Sequence, residues 1–198
     1  MKIGIGITGA SGTIYAERLL ERLVALRAAG RIDAVAAVFT DRGREVARLE
    51  RPDFPARVEA LNDDRRLTLY RNDDFFTPAA SGSAGFDAWV VVPCSMGMVG
   101  RIAGGVSNDL ISRAADVMLK ENAPRRSRTL ILCPRETPLS LVHLRNLTAI
   151  REAGGIILPA MPAFYTGPQT LEEAVDTVVD RILAQLDLLP DGYVGWRE

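Results

Sequence analysis

The chain has 198 residues, 47% hydrophobic and 25% charged, with a net charge of −1, which suits one domain with a sizeable core and gives no electrostatic case for nucleic acid or an anionic membrane. No apolar run approaches the ~20 residues of a membrane span, and Met1-Lys2 leads directly into a strand, leaving no room for a signal peptide. Two cysteines, Cys94 and Cys133, make a poor disulfide framework and one histidine, His143, a poor zinc site, so a reduced, cytoplasmic, metal-free protein is expected.

In chain order, Ile3, Ile5 and Ile7 mark a first strand, followed by a Gly-rich turn and a helix through residues 16–24. Residues 33–39 read as a second buried strand, ended by Thr40-Asp41-Arg42-Gly43. A short polar helix is expected from about 44 to 50, broken by Arg51-Pro52-Asp53-Phe54-Pro55. Residues 67–70 suit a short strand, and 72–85, rich in small residues, a long loop. Residues 87–94 form a strong strand with Ser95-Met96-Gly97-Met98 as its turn, and a helical segment runs on to Ala103. After Gly104-Gly105, Asn108-Asp109 opens a helix that reaches Lys120. A strand at 129–133, a helix at 140–153, a strand at 155–159 and a helix at 171–188 complete the alternation. Continuous apolar strands alternating with helices predict a three-layer α/β fold, a mostly parallel sheet covered on both faces. Residues 1–189 are expected to form a single domain and 190–198 a tail.

In such folds ligands sit at the C-terminal ends of the strands. The first strand–turn–helix carries Gly9, Ala10, Ser11 and Gly12, where backbone N–H groups at a helix N-terminus favour an anion and Ser11 is placed at or near the N-cap. Gly4-Ile5-Gly6-Ile7-Thr8-Gly9 matches the dinucleotide fingerprint, but its first two glycines fall inside the strand rather than in the turn, so the match is read as accidental. Ser11, Thr40 and Ser95 each follow a strand, and together they make a neutral cradle suited to a flat cofactor with a phosphate tail. Arg113 and Lys120, seven apart, share a helix face. Arg135 and Glu136 are held between Pro134 and Pro138, Arg181 lies in the last helix, and Phe164-Tyr165 sits on a proline-bounded loop. Glu50 alone is uninformative, and His143 is read as helix packing.

These blocks together resemble the UbiX-type flavin prenyltransferase family, formerly described as aromatic acid decarboxylases. The resemblance runs nearly end to end: Thr8-Gly9-Ala10-Ser11-Gly12, Pro78-Ala79-Ala80-Ser81-Gly82-Ser83, Pro93-Cys94-Ser95, the segment from Asn108 to Val117, Pro134-Arg135-Glu136-Thr137-Pro138-Leu139, and Leu158 to Tyr165. It implies a flavodoxin-like homo-oligomer, a dodecamer, that binds reduced FMN and joins a dimethylallyl group from dimethylallyl monophosphate to N5 and C6. The prenylated FMN would then pass to a UbiD-type decarboxylase. By the same resemblance Gly9, Ala10, Ser11, Thr40, Ser95, Met96, Gly97, Met98 and Arg135 would hold FMN. Arg113, Lys120, Arg135, Glu136, Tyr165, Arg181 and the tail aromatic Trp196 would surround the prenyl phosphate, with Ser11, Glu50, Lys120 and Glu136 in the chemistry. Two departures stand out: Gly97-Met98 where the family often has Lys-Thr or Gly-Thr, and the charged Asp41-Arg42 after the second strand. The competing readings are a flavin-dependent cysteine-decarboxylase-like enzyme and a non-catalytic FMN carrier.

Overall fold

Ile3, Ile5 and Ile7 are fully buried on one face of strand β1 (Lys2–Ile7), and that alternation sets the whole architecture. On the opposite face, beyond Lys2 at the strand's start, β1 offers only Gly4 and Gly6. A Cβ on Gly4 would lie 1.9 Å from the Trp89 ring, and one on Gly6 2.7 Å from Ile111, so these glycines exist to let a tryptophan and a helix press against bare backbone. The fingerprint match in β1 is therefore a packing device, as its position in the strand indicated.

The computed structural model describes residues 1–122, 128–189 and 193. Six parallel strands lie in the order β3-β2-β1-β4-β5-β6, with β2 at Ala34–Phe39, β3 at Thr68–Tyr70, β4 at Ala88–Cys94, β5 at Thr129–Pro134 and β6 at Ile156–Ile157. The chain winds outward from β1 in one direction and then, from β4, in the other, so the β1/β4 boundary is the topological switch point. Helices α1 (Thr13–Ala28), α3 (Phe54–Asp63) and α7 (Leu171–Ala184) bury Leu19, Leu23, Phe54, Val58 and Val179 against one face. Helices α4 (Met96–Ala103), α5 (Leu110–Glu121) and α6 (Leu141–Glu152) bury Met98, Ile111, Val117 and Ile150 against the other. Burying both faces removes enough apolar area to outweigh the entropy of ordering the chain.

Three segments differ from the sequence reading. Helix α2 spans Asp41–Glu50 and begins three residues earlier than expected, because the Thr40 hydroxyl accepts from Gly43 N at 2.9 Å and caps it. The proline-rich stretch does end α2 at Glu50, but its second half also opens a helix that was not expected, α3: Pro55 occupies the first turn, where its missing N–H costs nothing. The small-residue loop contains two short 3₁₀ turns, Pro78–Ala80 and Gly82–Ala84. The expected tail, 190–198, lies outside the described residues apart from Tyr193.

Candidate active site

Thr8 ties the switch point together. Its buried hydroxyl donates to Pro93 O and accepts from Ser95 N, both at 2.8 Å, so the ends of β1 and β4 are held in register across the crevice. Ser95 then caps α4 by accepting from Met98 N at 3.3 Å. The Met98 side chain is fully buried in the core, and its N–H is committed to Ser95, so neither faces the crevice. What α4 presents to the crevice is its N-cap Ser95 and, further along, Arg101. Gly97 is exposed, with nothing within 4 Å of a would-be Cβ, and first-turn N–H groups have no intrahelical acceptor.

At the N-terminus of α1 the N-cap is Gly12, with φ 110° and no side-chain cap, and Ser11 directly precedes it. The anion that its N–H groups attract is supplied by the chain itself: Glu50, the last residue of α2, accepts from Gly12 N at 2.9 Å and Thr13 N at 2.8 Å. Burial works to raise the Glu50 pKa. Hydrogen bonds from the Ser11 side chain and from the Thr13 and Gly12 N–H groups overcome it and hold the carboxyl below its ordinary value. A dinucleotide pyrophosphate would need these same N–H groups, so their occupation also removes that reading.

Arg135, past the end of β5, reaches back so that its Nε donates to Ser11 O at 2.9 Å. Tyr15 packs beside it against Gly12; burial raises the tyrosine pKa, Cys133 adds to this and the guanidinium opposes it. Glu136 is exposed, and its Oε1 accepts from Thr137 N at 3.1 Å. The fold thus brings Gly9, Ala10, Ser11, Glu50, Ser95, Arg135 and Glu136 to one edge of the sheet.

A cavity of about 590 Å³ opens between the ends of β1, β2 and β4, with Thr8, Gly9, Thr40 and Ser95 in its wall. Gly9 lets the Arg42 stem approach: a Cβ there would meet Arg42 Cβ at 2.8 Å. The sequence reading missed Thr8, Asn72, Arg101 and Asp109 as part of this wall. Asn72 O accepts from Leu110 N at 2.8 Å and its Oδ1 from Ile111 N at 3.2 Å, while Arg101 pairs with Asp109 at 3.0 Å. Asp109, at a helix start, and Thr8, at the head of the Gly-rich turn, carried a local signal. Volume, hydroxyl lining and an open helix N-terminus at α4 fit a flat, phosphate-bearing cofactor such as FMN.

Other expected residues lie elsewhere in the protomer. The N-cap of α5, Asp109, is at the crevice, so Lys120, ten residues past Leu110, sits about 15 Å down the helix. It forms an ion pair with Glu121. Arg113 is nearer, its Nε donating to Ala80 O at 3.1 Å and its Nη1 to Asp116 at 2.6 Å. Arg181 is likewise about 15 Å beyond the first turn of α7. Tyr165 is half-exposed and Phe164 more so. Trp196 lies outside the described residues. His143 caps α6 with Ser140: Ser140 N donates to Nδ1 at 3.3 Å, and His143 N to the serine hydroxyl at 3.2 Å. Among the described residues no cluster of three or more His, Cys, Asp or Glu is placed to hold a metal, and no helix is long and apolar enough to cross a membrane.

Sheet order, switch-point crevice and helix N-terminus define a nucleotide-cofactor protein of the α/β type, and comparison with known proteins narrows the class. The flavoprotein family model matches residues 1–186. Flavin prenyltransferase UbiX of Methanothermobacter thermautotrophicus is 41% identical over 97% of this chain and 93% of its own. The dodecameric FMN-dependent UbiX-like decarboxylase of Escherichia coli O157:H7 superposes with a TM-score of 0.88 at 34% identity, covering 100% of both chains. AnUbiX, solved in complex with FMN and dimethylallyl pyrophosphate, gives 0.84 at 35%, covering 99% of this chain and 98% of that one. The chain belongs to the UbiX-type flavin prenyltransferases, flavoproteins of flavodoxin-like fold.

Proposed function

We propose that the protein joins the dimethylallyl group of dimethylallyl monophosphate to N5 and C6 of reduced FMN. The observation that carries this reading is the flavin-sized cavity walled by Thr8, Gly9, Thr40 and Ser95, with the Glu50 carboxylate locked onto the Gly12 and Thr13 N–H groups three residues along the chain from Gly9, beside Ser11 and Arg135. Reduced FMN supplies the nucleophilic N5 and C6 that accept the five-carbon group. Thr40, Ser95 and the backbone of Gly9 to Ser11 and of Met96-Gly97 hold it, and Arg135 anchors the phosphate side.

Ionisation of the allylic C–O bond releases a phosphate and leaves positive charge on the prenyl carbons. Arg113, Lys120, Arg135 and Arg181 neutralise the departing anion and Tyr165 donates a hydrogen bond to it. Glu50, kept ionised by its N–H donors, stabilises the allyl charge. The same donors make it a weak base, so the N5 and C6 protons leave through Glu136 or the released phosphate, whose second pKa near 6 suits the task better, and one proton is returned to the prenyl double bond as C6 closes on its tertiary carbon.

Lys120 and Arg181 sit at the far ends of their helices from Glu50, so we place them in the sites of neighbouring copies. The dodecameric relative and the exposed Leu141, Val142 and Leu144 on α6 support a homo-oligomer. A UbiD-type decarboxylase in the cytoplasm is the proposed recipient of the product.

The test is anaerobic incubation with reduced FMN and dimethylallyl monophosphate, then the mass of the released flavin. A gain of one five-carbon unit is expected. Unchanged FMN, with flavin binding demonstrated, sinks this reading.

A further inference from the structure

Glu17 is a buried carboxylate that none of the chemistry above uses. It lies on α1, one turn past Thr13 and so on the same helix face, with only 4% of its side chain exposed. Both its oxygens are engaged: Oε2 accepts from Arg51 Nε at 2.5 Å, and Oε1 meets Arg57 Nη1 at 2.9 Å. A buried acid is retained only where cations and hydrogen bonds compensate for lost hydration, and this one has two arginines.

The identity of the first arginine matters. Arg51 follows Glu50 directly and is the C-cap of α2, its N–H donating to Ala47 O at 2.8 Å. Residues 50 and 51 are therefore clamped to α1 at two points one turn apart: Glu50 on the Gly12 and Thr13 N–H groups, Arg51 on Glu17. A helix end held at one point can swing; held at two, it cannot rotate the Glu50 carboxylate off its donors. A cavity of about 240 Å³ has Glu17, Glu50, Arg51 and Arg57 together in its wall, so the two clamps belong to one pocket.

We propose that Glu17 is a positioning residue for Glu50: through Arg51 it fixes the end of α2 so that the Glu50 carboxylate stays seated on the N-terminus of α1. The seating is a property of the fold; its value to catalysis rests on the prenyl-transfer reading. The charged and titratable groups around Glu50 are Glu17 on α1, Arg51 and Asp53 in the turn after α2, Arg57 on α3, and Arg135 beyond β5, which binds the adjacent Ser11 carbonyl.

The sign of one titration separates positioning from plain electrostatics. Glu17→Gln removes a negative charge near Glu50. If Glu17 acted only through its field, the Glu50 pKa would fall. If Glu17 seats Glu50, the carboxylate loses N–H donors and its pKa rises, by ~1 unit for loss of one or two such bonds. The measurement is the pH-difference infrared spectrum of the intact protein, with the Glu50 carboxyl band assigned by its absence in Glu50→Gln; it needs no turnover. Glu17→Asp keeps the charge of the cluster but withdraws the carboxylate from Arg51, and should give a smaller rise. It decides the matter should Glu17→Gln fail to fold. Glu21→Gln cuts the outer contact of Arg57, at 2.7 Å, and the Arg18 pair at 3.0 Å, neither of which reaches Arg51, and should leave Glu50 where it is.

In prenyl-transfer assays the acid limb of kcat should move up with the infrared midpoint, while FMN affinity holds. A Glu50 midpoint that is unchanged or lowered in the folded Glu17 variants overturns the proposal, even if melting temperature falls. A raised midpoint in a protein that forms no prenylated flavin would keep the positioning role and discard the function.

Discussion

Thr8 shows how much one hydroxyl can carry. It satisfies Pro93 O and Ser95 N at once, in a place with 2% exposure where water cannot substitute. Thr8→Val keeps the shape and leaves Ser95 N without its acceptor, while Pro93 O retains only the backbone bond from Thr8 N at 3.3 Å. The expected cost is about 1–3 kcal/mol for the one unpaired group, read by urea unfolding, together with weaker FMN binding as α4 loses its fixed start. A second residue-scale expectation concerns pH. Burial works to raise the Glu50 pKa and its hydrogen bonds outweigh that effect, so the folded value lies below the ordinary 4.5. A carboxyl of lowered pKa contributes stability that is fully present above about 4.5 and disappears as pH falls through the folded value. Wild type should therefore exceed Glu50→Gln in stability at neutral pH, and the gap should close below about pH 4.5. A gap that stays constant from pH 7 to pH 3 would remove Glu50 from the acid-sensitive set.

At the scale of elements, β1 makes the sharpest demand on sequence. Gly4→Ala drives a Cβ to 1.9 Å from Trp89, itself fully buried, and the ring has nowhere to go between β4 and α5. A loss of at least about 3 kcal/mol is expected, at the upper end for overpacked cores. Trimming the ring in Gly4→Ala/Trp89→Leu should recover part of it; no recovery would mean the glycine is needed for something other than room. Such elements were legible beforehand because strands buried on both faces leave long apolar runs, and the alternation of those runs with helices determines the layers. Helix α3 was not, since Pro52 and Pro55 break a helix in mid-span but initiate one at its first turn, and only the surrounding fold decides which applies. The candidate site divides in the same way. Gly9 to Gly12 and Ser95 announce themselves as turns after strands. The seating of Glu50 on Gly12 joins residues 38 apart, and the Glu17 clamp joins residues 34 apart. Neither leaves a trace in local pattern, because nothing in the spacing of residues on α1 reveals what α2 brings against it.

At the scale of the whole molecule, one protomer gathers the acid and the flavin cradle at one edge of its sheet and carries Lys120 and Arg181 some 15 Å down α5 and α7. A side chain of lysine or arginine spans far less than that, so a site that uses all four groups draws the cations from another copy. Apolar side chains left in water support such an assembly: Leu141, Val142 and Leu144 are 61%, 62% and 47% exposed on a helix whose inner face buries little beyond Ile150. Sharing of the site can be tested with two inactive proteins. Glu50→Gln and Lys120→Ala should each lose prenyl transfer by tenfold or more, on the order of one transition-state charge contact. Co-expressed in equal amounts, they form mixed assemblies in which about a quarter of the sites take Glu50 from one chain and Lys120 from the other, both intact, if the two residues come from different copies. Activity near a quarter of wild type would establish the shared site. Activity no higher than that of the separate variants, with mixed oligomers confirmed by mass, would place both residues in one chain, and α5 would then have to move toward the crevice when substrate binds.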